Sequence, residues 1–185
     1  MDAIELLHTR QSAGKLQEPG PDDMELAEIF RSAVSAPDHG RLRPWRFVVI
    51  REEARERFGE LMAASLQSRR PDTTPEMLSR ERAKALRAPL IVVVAARVQA
   101  GKIPEIEQVL AVGAAAQNIM LATHALGFGA MWRTGDLAYD ATVKTALGLE
   151  PTDAIVGFIY LGTHADSPPP AERPVPERFV TEWTG

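Results

Sequence analysis

The segment that most constrains the fold is a long helical pattern, predicted over about Pro104 to Leu126. After Glu107 it carries no charged side chain until its end, and small residues cluster at Gly113–Ala116. A helix that is apolar almost all round has to be buried almost all round. At about 1.5 Å per residue the helix would be roughly 35 Å long, more than one small domain encloses on every side. We therefore expect a second copy of the chain to cover one face of this helix.

Two segments have the composition of strands in a buried sheet. Trp45–Ile50 is aromatic and β-branched, and Pro89–Ala96 is a continuous apolar run that suits a strand buried on both faces. Shorter strands are predicted within 127–135 and over 155–161. Helices are predicted over Ala3–Thr9, from Asp22 to about Ser35, and over 52–67, 74–86 and 140–147. This order predicts one α+β domain over residues 1–185, a single layer of strands with helices on both faces.

The last part of the chain, residues 163–185, has a different character. Pro168–Pro170, Pro174 and Pro176 predict a stiff, extended arm. Beyond them come three large apolar residues that have no helix of their own: Phe179, Val180 and Trp183. Such an arm either frays or lies along a partner. The second alternative is favoured, because a frayed tail rarely needs Phe and Trp.

Composition restricts the chemistry. The chain has no cysteine, which excludes disulfides, thiolate metal sites and cysteine nucleophiles. Its four histidines are scattered, so we predict no metal site. Redox or nucleophilic chemistry must therefore come from oxygen groups, from histidine or from a borrowed cofactor.

The net charge and the search for targeting signals limit which partners and which cellular location are expected. With 21 basic and 25 acidic residues the net charge is −4, and no global field recruits nucleic acid. The start of the chain lacks the basic and apolar regions of a signal peptide, and the longest apolar run, Ala88–Ala96, is too short to span a bilayer. We therefore expect a cytoplasmic protein that binds neither nucleic acid nor a membrane.

The first polar segment that could carry chemistry follows the opening helix. Arg10 offers a planar fork to a phosphate, and Ser12 adds a hydroxyl on the same side of an extended chain. The alternative, which the residues alone favour, is an arginine at a helix C-terminus followed by a serine in a turn.

Two further segments have comparable alternatives. The loop Ala36–Trp45 concentrates polar side chains between a helix and a strand, and a binding loop and a structural turn are equally supported. Gly127–Gly135 is not a dinucleotide fingerprint, because its glycines follow a helix and Trp132 occupies the third glycine position. Its exposed backbone, Trp132 and Arg133 fit a flat ligand, although a tight helix-to-strand turn also explains them.

Taken in order, these segments resemble the flavin-dependent nitroreductase superfamily, in particular its small single-domain branch. The resemblance runs nearly end to end and is carried by five motifs: Arg-x-Ser, Ala-Pro-Asp-His before Pro-Trp-x-Phe-Val-Val-Ile, Leu-Gly-Phe-Gly, Trp-Arg-Thr-Gly, and Val-Gly-Phe-Ile-Tyr-Leu-Gly-Thr. Each motif is weak alone, whereas the five in sequence are specific.

The resemblance implies a nitroreductase fold with a central mixed or antiparallel sheet. It also implies an intertwined homodimer that binds FMN at the subunit interface. The implied FMN-binding residues are Arg10, Gln11, Ser12, Ser35, Pro37, His39, Trp132, Arg133 and Thr134. Of these, Ser35, Pro37 and His39 would come from the other subunit, and Arg133 could stabilise charge on the reduced flavin. A nicotinamide nucleotide is implied at the end of the long helix, at Ala122, Thr123, His124, Ala125, Leu126 and Gly127.

The implied activity is that of an FMN-dependent oxidoreductase. NADH or NADPH would reduce the flavin, and a nitroaromatic, quinone-like or related acceptor would then take the hydride at the same place. A different flavin reaction on the same scaffold (flavin cleavage or dehalogenation) and a non-catalytic flavin-binding sensor are the alternatives. Arg41 and Arg43 stand where many relatives carry Asn and Gln, which leaves two alternatives open: contact with FMN, or an open face that favours an anionic substrate.

Overall fold

The computed structural model describes residues 2–166 and 172–185, and every helix and strand predicted from the sequence is present there. The helices are α1 (Ala3–Thr9), α2 (Asp23–Ala33), α3 (Ala54–Arg69), α4 (Pro75–Ala83), α5 (Glu105–Ala125) and α6 (Ala141–Ala146). The strands are β1 (Leu16–Gln17), β2 (Trp45–Arg51), β3 (Leu90–Ala96), β4 (Gly129–Arg133) and β5 (Ala154–His164). Short 3-10 turns lie at His39–Arg41, Lys84–Leu86, Asp136–Tyr139 and Pro176–Arg178. The two-residue strand β1 was not predicted.

Side-chain caps fix where several helices begin. The Asp2 carboxylate accepts the backbone N–H groups of Ile4 and Glu5 at 2.8 and 3.0 Å. Asp22 and Glu25 form a reciprocal capping box at the start of α2. These acceptors satisfy N–H groups that the first turn of a helix leaves unpaired, which is why acidic residues precede the apolar stripes in the sequence.

The sheet is antiparallel at every described pairing. Its strand order is β1-β5-β3-β2, and β4 also pairs with β5. All seven residues of β3 are buried, as the continuous apolar run predicted. The pairings restrict the predicted mixed or antiparallel sheet to the antiparallel form.

Helices cover both faces of this sheet. Val92 and Val94 of β3 point toward α2 and α5, whereas Ile91 and Val93 point toward the layer that contains α3 and α6. Successive residues of a strand face opposite sides, so a strand that is apolar throughout needs cover on both. The predicted α+β architecture is confirmed.

The long helix α5 is buried on only part of its circumference. Ala115 and Ile119 are fully buried, whereas Ile106 and Leu110 are 61% and 63% exposed. Apart from the neighbouring residues and the backbone of the helix itself, no described atom lies within 4 Å of the position that a Cβ on Gly113 would take. One apolar face of this helix is therefore uncovered in a single chain.

No helix in residues 2–166 or 172–185 is long and apolar enough to cross a membrane.

The C-terminal arm differs in one respect from the prediction. Strand β5 continues through His164, past the predicted start of the arm at residue 163. The spacer Pro168–Pro170 lies outside the described residues. Phe179, Val180 and Trp183 are 74%, 68% and 91% exposed. Packing of the arm on a partner stays a prediction.

We expect Gly157→Ala to destabilise the protein. A Cβ at position 157 would lie 2.0 Å from Nε1 of Trp132, whose indole donates to the carbonyl of Val156 at 3.2 Å. Displacing a packed aromatic ring costs about 1–3 kcal/mol, which urea denaturation would measure. Gly14→Ala is the matched control, because no atom lies within 4 Å of its Cβ position. Equal stability of the two variants would contradict this packing.

Candidate functional site

The site is built along the outer edge of β4. This strand pairs with β5 on one side, from Gly129 opposite Gly162 to Arg133 opposite Phe158. On the other side the carbonyl of Ala130 accepts the N–H of Ala13 at 2.9 Å. Alternate residues of an antiparallel strand present their backbone groups to the same edge, so the backbone of Trp132 also faces outward. Among the described residues no strand covers this part of β4.

Arg10 lies at one end of this edge. It caps the C-terminus of α1, where its N–H donates to the carbonyl of Leu6. Its guanidinium is partly buried, and Nη1 is buried without a hydrogen-bond partner among the described residues. Burial lowers the pKa of Arg10, and the positive charge of Arg173 lowers it further. A buried donor that lacks a partner is costly, so this guanidinium suits an anionic ligand.

Arg173 joins Arg10 from the far end of the chain. Its Nη2 donates to the backbone carbonyl of Arg10 and, at 3.5 Å, to that of His8. Sequence reasoning missed this residue. A single arginine in a proline-rich arm belongs to no local motif, and only the folded chain brings it to α1.

Two histidines complete the group. His124, at the end of α5, lies with Nε2 3.2 Å from Oγ1 of Thr9. The pKa of His124 is lowered by burial first, and then by His164 and Arg10. The ring of His164 is 3.0 Å from the position of a Cβ on Gly129. We call Arg10, His124, His164 and Arg173 the basic cluster; none of the four forms an ion pair with a described carboxylate.

Gln11 and Ser12 connect the basic cluster to the strand. Gln11 is half-buried and Ser12 is exposed, and both lie between Arg10 and the residue that bonds to β4. The fold thus places Arg10, Gln11 and Ser12 beside the start of β4.

Trp132 and Arg133 lie on opposite faces of the sheet. The indole of Trp132 packs over Gly157 on the side of α2 and α5. The guanidinium of Arg133 lies 5.7 Å from the ring centre of Tyr160, a residue of the opposite layer. Thr134 follows as an exposed residue. The three predicted residues therefore share a backbone edge, whereas their side chains do not converge on one point.

The residues predicted for a nicotinamide nucleotide form the end of α5 and the turn after it. Thr123 is fully buried, and its Oγ1 has no hydrogen-bond partner among the described residues. Ala125, Leu126 and Gly127 are exposed, and Gly127 ends the helix with a φ of 87°. For the rest of this segment the role stays a prediction.

Of the predicted residues Ser35, Pro37 and His39, the last lies at the opposite end of α5 from the basic cluster. His39 Nδ1 contacts Oε2 of Glu107 in the first turn of α5, whereas His124 is in its last turn. At about 1.5 Å per residue these two positions are roughly 25 Å apart along the helix axis. A single chain therefore does not bring His39 to the basic cluster, and the roles of Ser35 and Pro37 stay predictions.

The loop that carries His39 is ordered and basic. Arg41 and Arg43 adopt left-handed backbone conformations, with φ of 55° and 51°. The N–H of Arg43 donates to Asp38 at 2.7 Å, and Gln99 donates to the carbonyl of Leu42 at 2.9 Å. These bonds stabilise a backbone that L-residues adopt only at a cost.

In the part of the chain that the structure describes, no group of three or more His, Cys, Asp or Glu side chains could hold a metal ion. The groups available to a ligand in the described residues are instead the basic cluster, the free edge of β4 and the indole of Trp132.

Comparison with known proteins gives concordant results. The model of the nitroreductase family matches residues 8–163. The chain is 40% identical to “Putative NAD(P)H nitroreductase YdjA” of Escherichia coli strain K12 over 164 aligned residues. The alignment covers 88% of each of the two chains. The nitroreductase-like family protein from Bacillus cereus superimposes with a TM-score of 0.84 at 22% identity, over 100% of this chain and 97% of that one. A protein of Desulfovibrio desulfuricans, described as a nitroreductase in complex with FMN, matches with a TM-score of 0.74 at 26% identity, over 98% and 97% of the two chains.

We expect the ligand-free protein to lose stability as the pH falls below 6.5, the ordinary pKa of histidine. Because the pKa of His124 is lowered in the folded state, the unfolded chain binds more protons there. The stability gained by keeping His124 neutral is therefore present above that pH and is lost below it.

Thermal unfolding between about pH 7.5 and about pH 5.5 measures this effect. His124→Gln should show a smaller drop in Tm than the unsubstituted protein. His8→Gln, at an exposed histidine of the neighbouring helix, is the control and should retain the full drop. An equal drop in both variants would show that His124 does not carry the effect.

Proposed function

The chain belongs to the nitroreductase family, and from this membership we propose that it is an FMN-dependent NAD(P)H oxidoreductase that reduces electron-poor acceptors. The observation that carries the proposal is the buried, unpartnered Nη1 of Arg10 within the basic cluster, at the end of a free strand edge. A phosphate ester is the kind of anion that paired guanidinium groups bind well. FMN carries such a phosphate together with a flat ring. The Desulfovibrio relative, whose structure is a complex with FMN, supports the proposal that FMN is the ligand.

The basic cluster would bind the phosphate. Arg10 has a donor without a partner, and Arg173 is held against the same segment by its bonds to backbone carbonyls. His124 and His164 add ring nitrogens beside this segment, and an anion next to His124 would oppose the lowering of its pKa. Ser12 provides a hydroxyl on the way to β4.

The free edge of β4 would orient the rest of the cofactor. Its five residues span about 17 Å at roughly 3.4 Å per residue, leading from the basic cluster to Thr134. The outward backbone groups of Trp132 are donors and acceptors for a flat heterocycle at this edge. Arg133, just before the end of the edge, would stabilise negative charge there.

FMN supplies the redox chemistry when bound: hydride transfer from NADH or NADPH to N5, and then to a nitroaromatic, quinone-like or related acceptor. The basic cluster and the β4 edge would hold the cofactor and position its ring for the donor and then for the acceptor. Exchange of donor and acceptor at one place predicts ping-pong kinetics.

The purified protein should be yellow or become yellow with added FMN. Its visible flavin absorbance should bleach anaerobically with NADH or NADPH and return when a nitroaromatic acceptor is added. Bound FMN that neither nucleotide reduces would favour a flavin-binding sensor, and a protein that takes up no FMN would contradict the proposal.

Within the same experiment, Arg10→Ala should weaken FMN binding by about 2–3 kcal/mol, the value of a charge-assisted hydrogen bond. Arg10→Lys keeps the positive charge but lacks the planar guanidinium. Its affinity for FMN should therefore lie between that of the unsubstituted protein and that of Arg10→Ala. The control is Arg57→Ala, at an exposed arginine of α3 that pairs with Glu53. Quenching of flavin fluorescence gives the affinities, and an unchanged affinity of Arg10→Ala would contradict its role.

We propose further that the working unit is an intertwined homodimer. His39 lies far from the basic cluster of its own chain, so a second copy would have to supply it, and the same copy would bring the neighbouring residues Ser35 and Pro37. The uncovered face of α5, which carries Ile106 and Leu110, is an apolar surface that this copy would bury.

The C-terminal arm fits the same assembly. Phe179, Val180 and Trp183 are exposed, yet their side chains are large and apolar. Burying them against a partner would stabilise the dimer by removing apolar surface from water. The exposed residues of α1, Ile4 and Leu7, add to the surface that a partner could cover.

The double variant Ile106→Glu/Leu110→Glu should dissociate the dimer at least about tenfold more readily, since charges would replace the apolar centre of the interface. Sedimentation velocity measures this, and FMN affinity should fall with the loss of the partner. Tyr139→Ser is the control, because this residue is 83% exposed and lies beside the opposite layer. A monomeric unsubstituted protein that binds FMN fully would contradict the proposal.

A further inference from the structure

A cavity of about 530 Å³ opens between the α3–α4 pair and strands β4 and β5. It begins where the free edge of β4 ends, because Arg133, Thr134 and Gly135 line it. Its apolar wall consists of Met62, Leu66, Met77, Leu137 and Phe158. An apolar wall with a few convergent polar groups is typical of a site for a small aromatic molecule.

The cavity carries excess positive charge. Its described cations are Arg69, Arg70, Arg80, Lys84, Arg87 and Arg133. Carboxylates neutralise three of them: Arg69 with Asp136 at 2.6 Å, Arg80 with Glu76 at 2.6 Å, and Lys84 with Glu81 at 2.5 Å. Arg70, Arg87 and Arg133 form no ion pair with any described carboxylate. A ligand that fills this cavity is therefore favoured if it is anionic.

Tyr160 supplies a donor at the floor of the cavity. The residue is only 3% exposed, and its hydroxyl has no hydrogen-bond partner among the described residues. Burial raises the pKa of Tyr160, against the smaller opposing effects of Arg133 and Arg87. The hydroxyl is thus protonated at neutral pH, and it can donate a hydrogen bond into the cavity that Tyr160 lines. An acceptor oxygen in the cavity would satisfy it.

We propose that this cavity binds the acceptor, and that it selects aromatic acceptors that carry a carboxylate, held by Arg87, Arg133 and the Tyr160 hydroxyl. The inference rests on the proposed function, because it identifies the class of molecule that the reduced enzyme would use. The position at Thr134 and Gly135 puts the acceptor next to the end of the β4 edge, where the ring of FMN would lie.

Benzoate and benzamide are the first probes, because they share a shape and differ in charge. Titration calorimetry on the FMN-loaded protein should show that benzoate binds about tenfold more tightly than benzamide. Arg87→Gln and Tyr160→Phe should each reduce this preference. Arg57→Gln, an exposed arginine outside the cavity, is the control and should keep the preference.

Turnover gives a second readout. The ratio of kcat/KM for para-nitrobenzoate to that for para-nitrobenzamide should exceed one and should fall about tenfold in Arg87→Gln, as expected for a lost charge-assisted bond. Tyr160→Phe should lower the same ratio, mainly by raising KM for para-nitrobenzoate, because the hydroxyl would bind the carboxylate. An unsubstituted enzyme without preference for the anion would overturn the proposal.

The two proposals fail in different ways. Flavin that is reduced and reoxidised, without preferential benzoate binding, would overturn the anion site and leave the oxidoreductase intact. Benzoate binding to flavin-free protein that FMN abolishes would show that the flavin itself fills the cavity, which also overturns the acceptor role. If benzoate binds as expected but no nucleotide reduces the flavin, the proposed function fails, and with it the role of the cavity in turnover.

Discussion

The antiparallel pairing of β5 with both β3 and β4 is the interaction on which the rest of the structure depends. It sets the register that places Trp132 toward α5 and Arg133 toward the cavity on the other face. A slip of one residue would exchange these two side chains. Gly157, on β5, is part of the same constraint, because any larger residue there would meet the indole ring. The site therefore depends on a sheet register as much as on the residues themselves.

Unpaired positive charge beside buried groups is common to the two candidate binding regions. Several other arginines are neutralised, as Arg51 is by Asp23 and Arg82 by Glu60. At the basic cluster and in the cavity, arginines lie beside buried or half-buried groups without a carboxylate. Leaving cations unpaired near buried surface destabilises a fold unless a ligand completes the site. This cost is the common physical reason for the cofactor and acceptor proposals.

Much of the architecture could be predicted because it depends on patterns within short segments. The apolar run Pro89–Ala96 predicted a central strand, and the long segment without charge after Glu107 predicted both the long helix and an uncovered face. Arg10 could be singled out because it follows a helix within a recognisable motif. Arg173, His164 and Tyr160 could not, since each joins its site only through contacts between segments that are distant in the chain. Strand β1 was missed because two residues are too few to show an alternating pattern.

By itself the sequence determined most of the secondary structure, the burial of the sheet on both faces and the exclusion of cysteine chemistry. These properties follow from residue type and local spacing. Only the tertiary structure decided which cations share a site, which face of β4 each side chain takes and how far His39 lies from Arg10. The physical reason is that hydrophobic periodicity acts over one or two turns or a single strand. The distances between charged groups depend instead on strand register and on the length of α5, which no local pattern encodes.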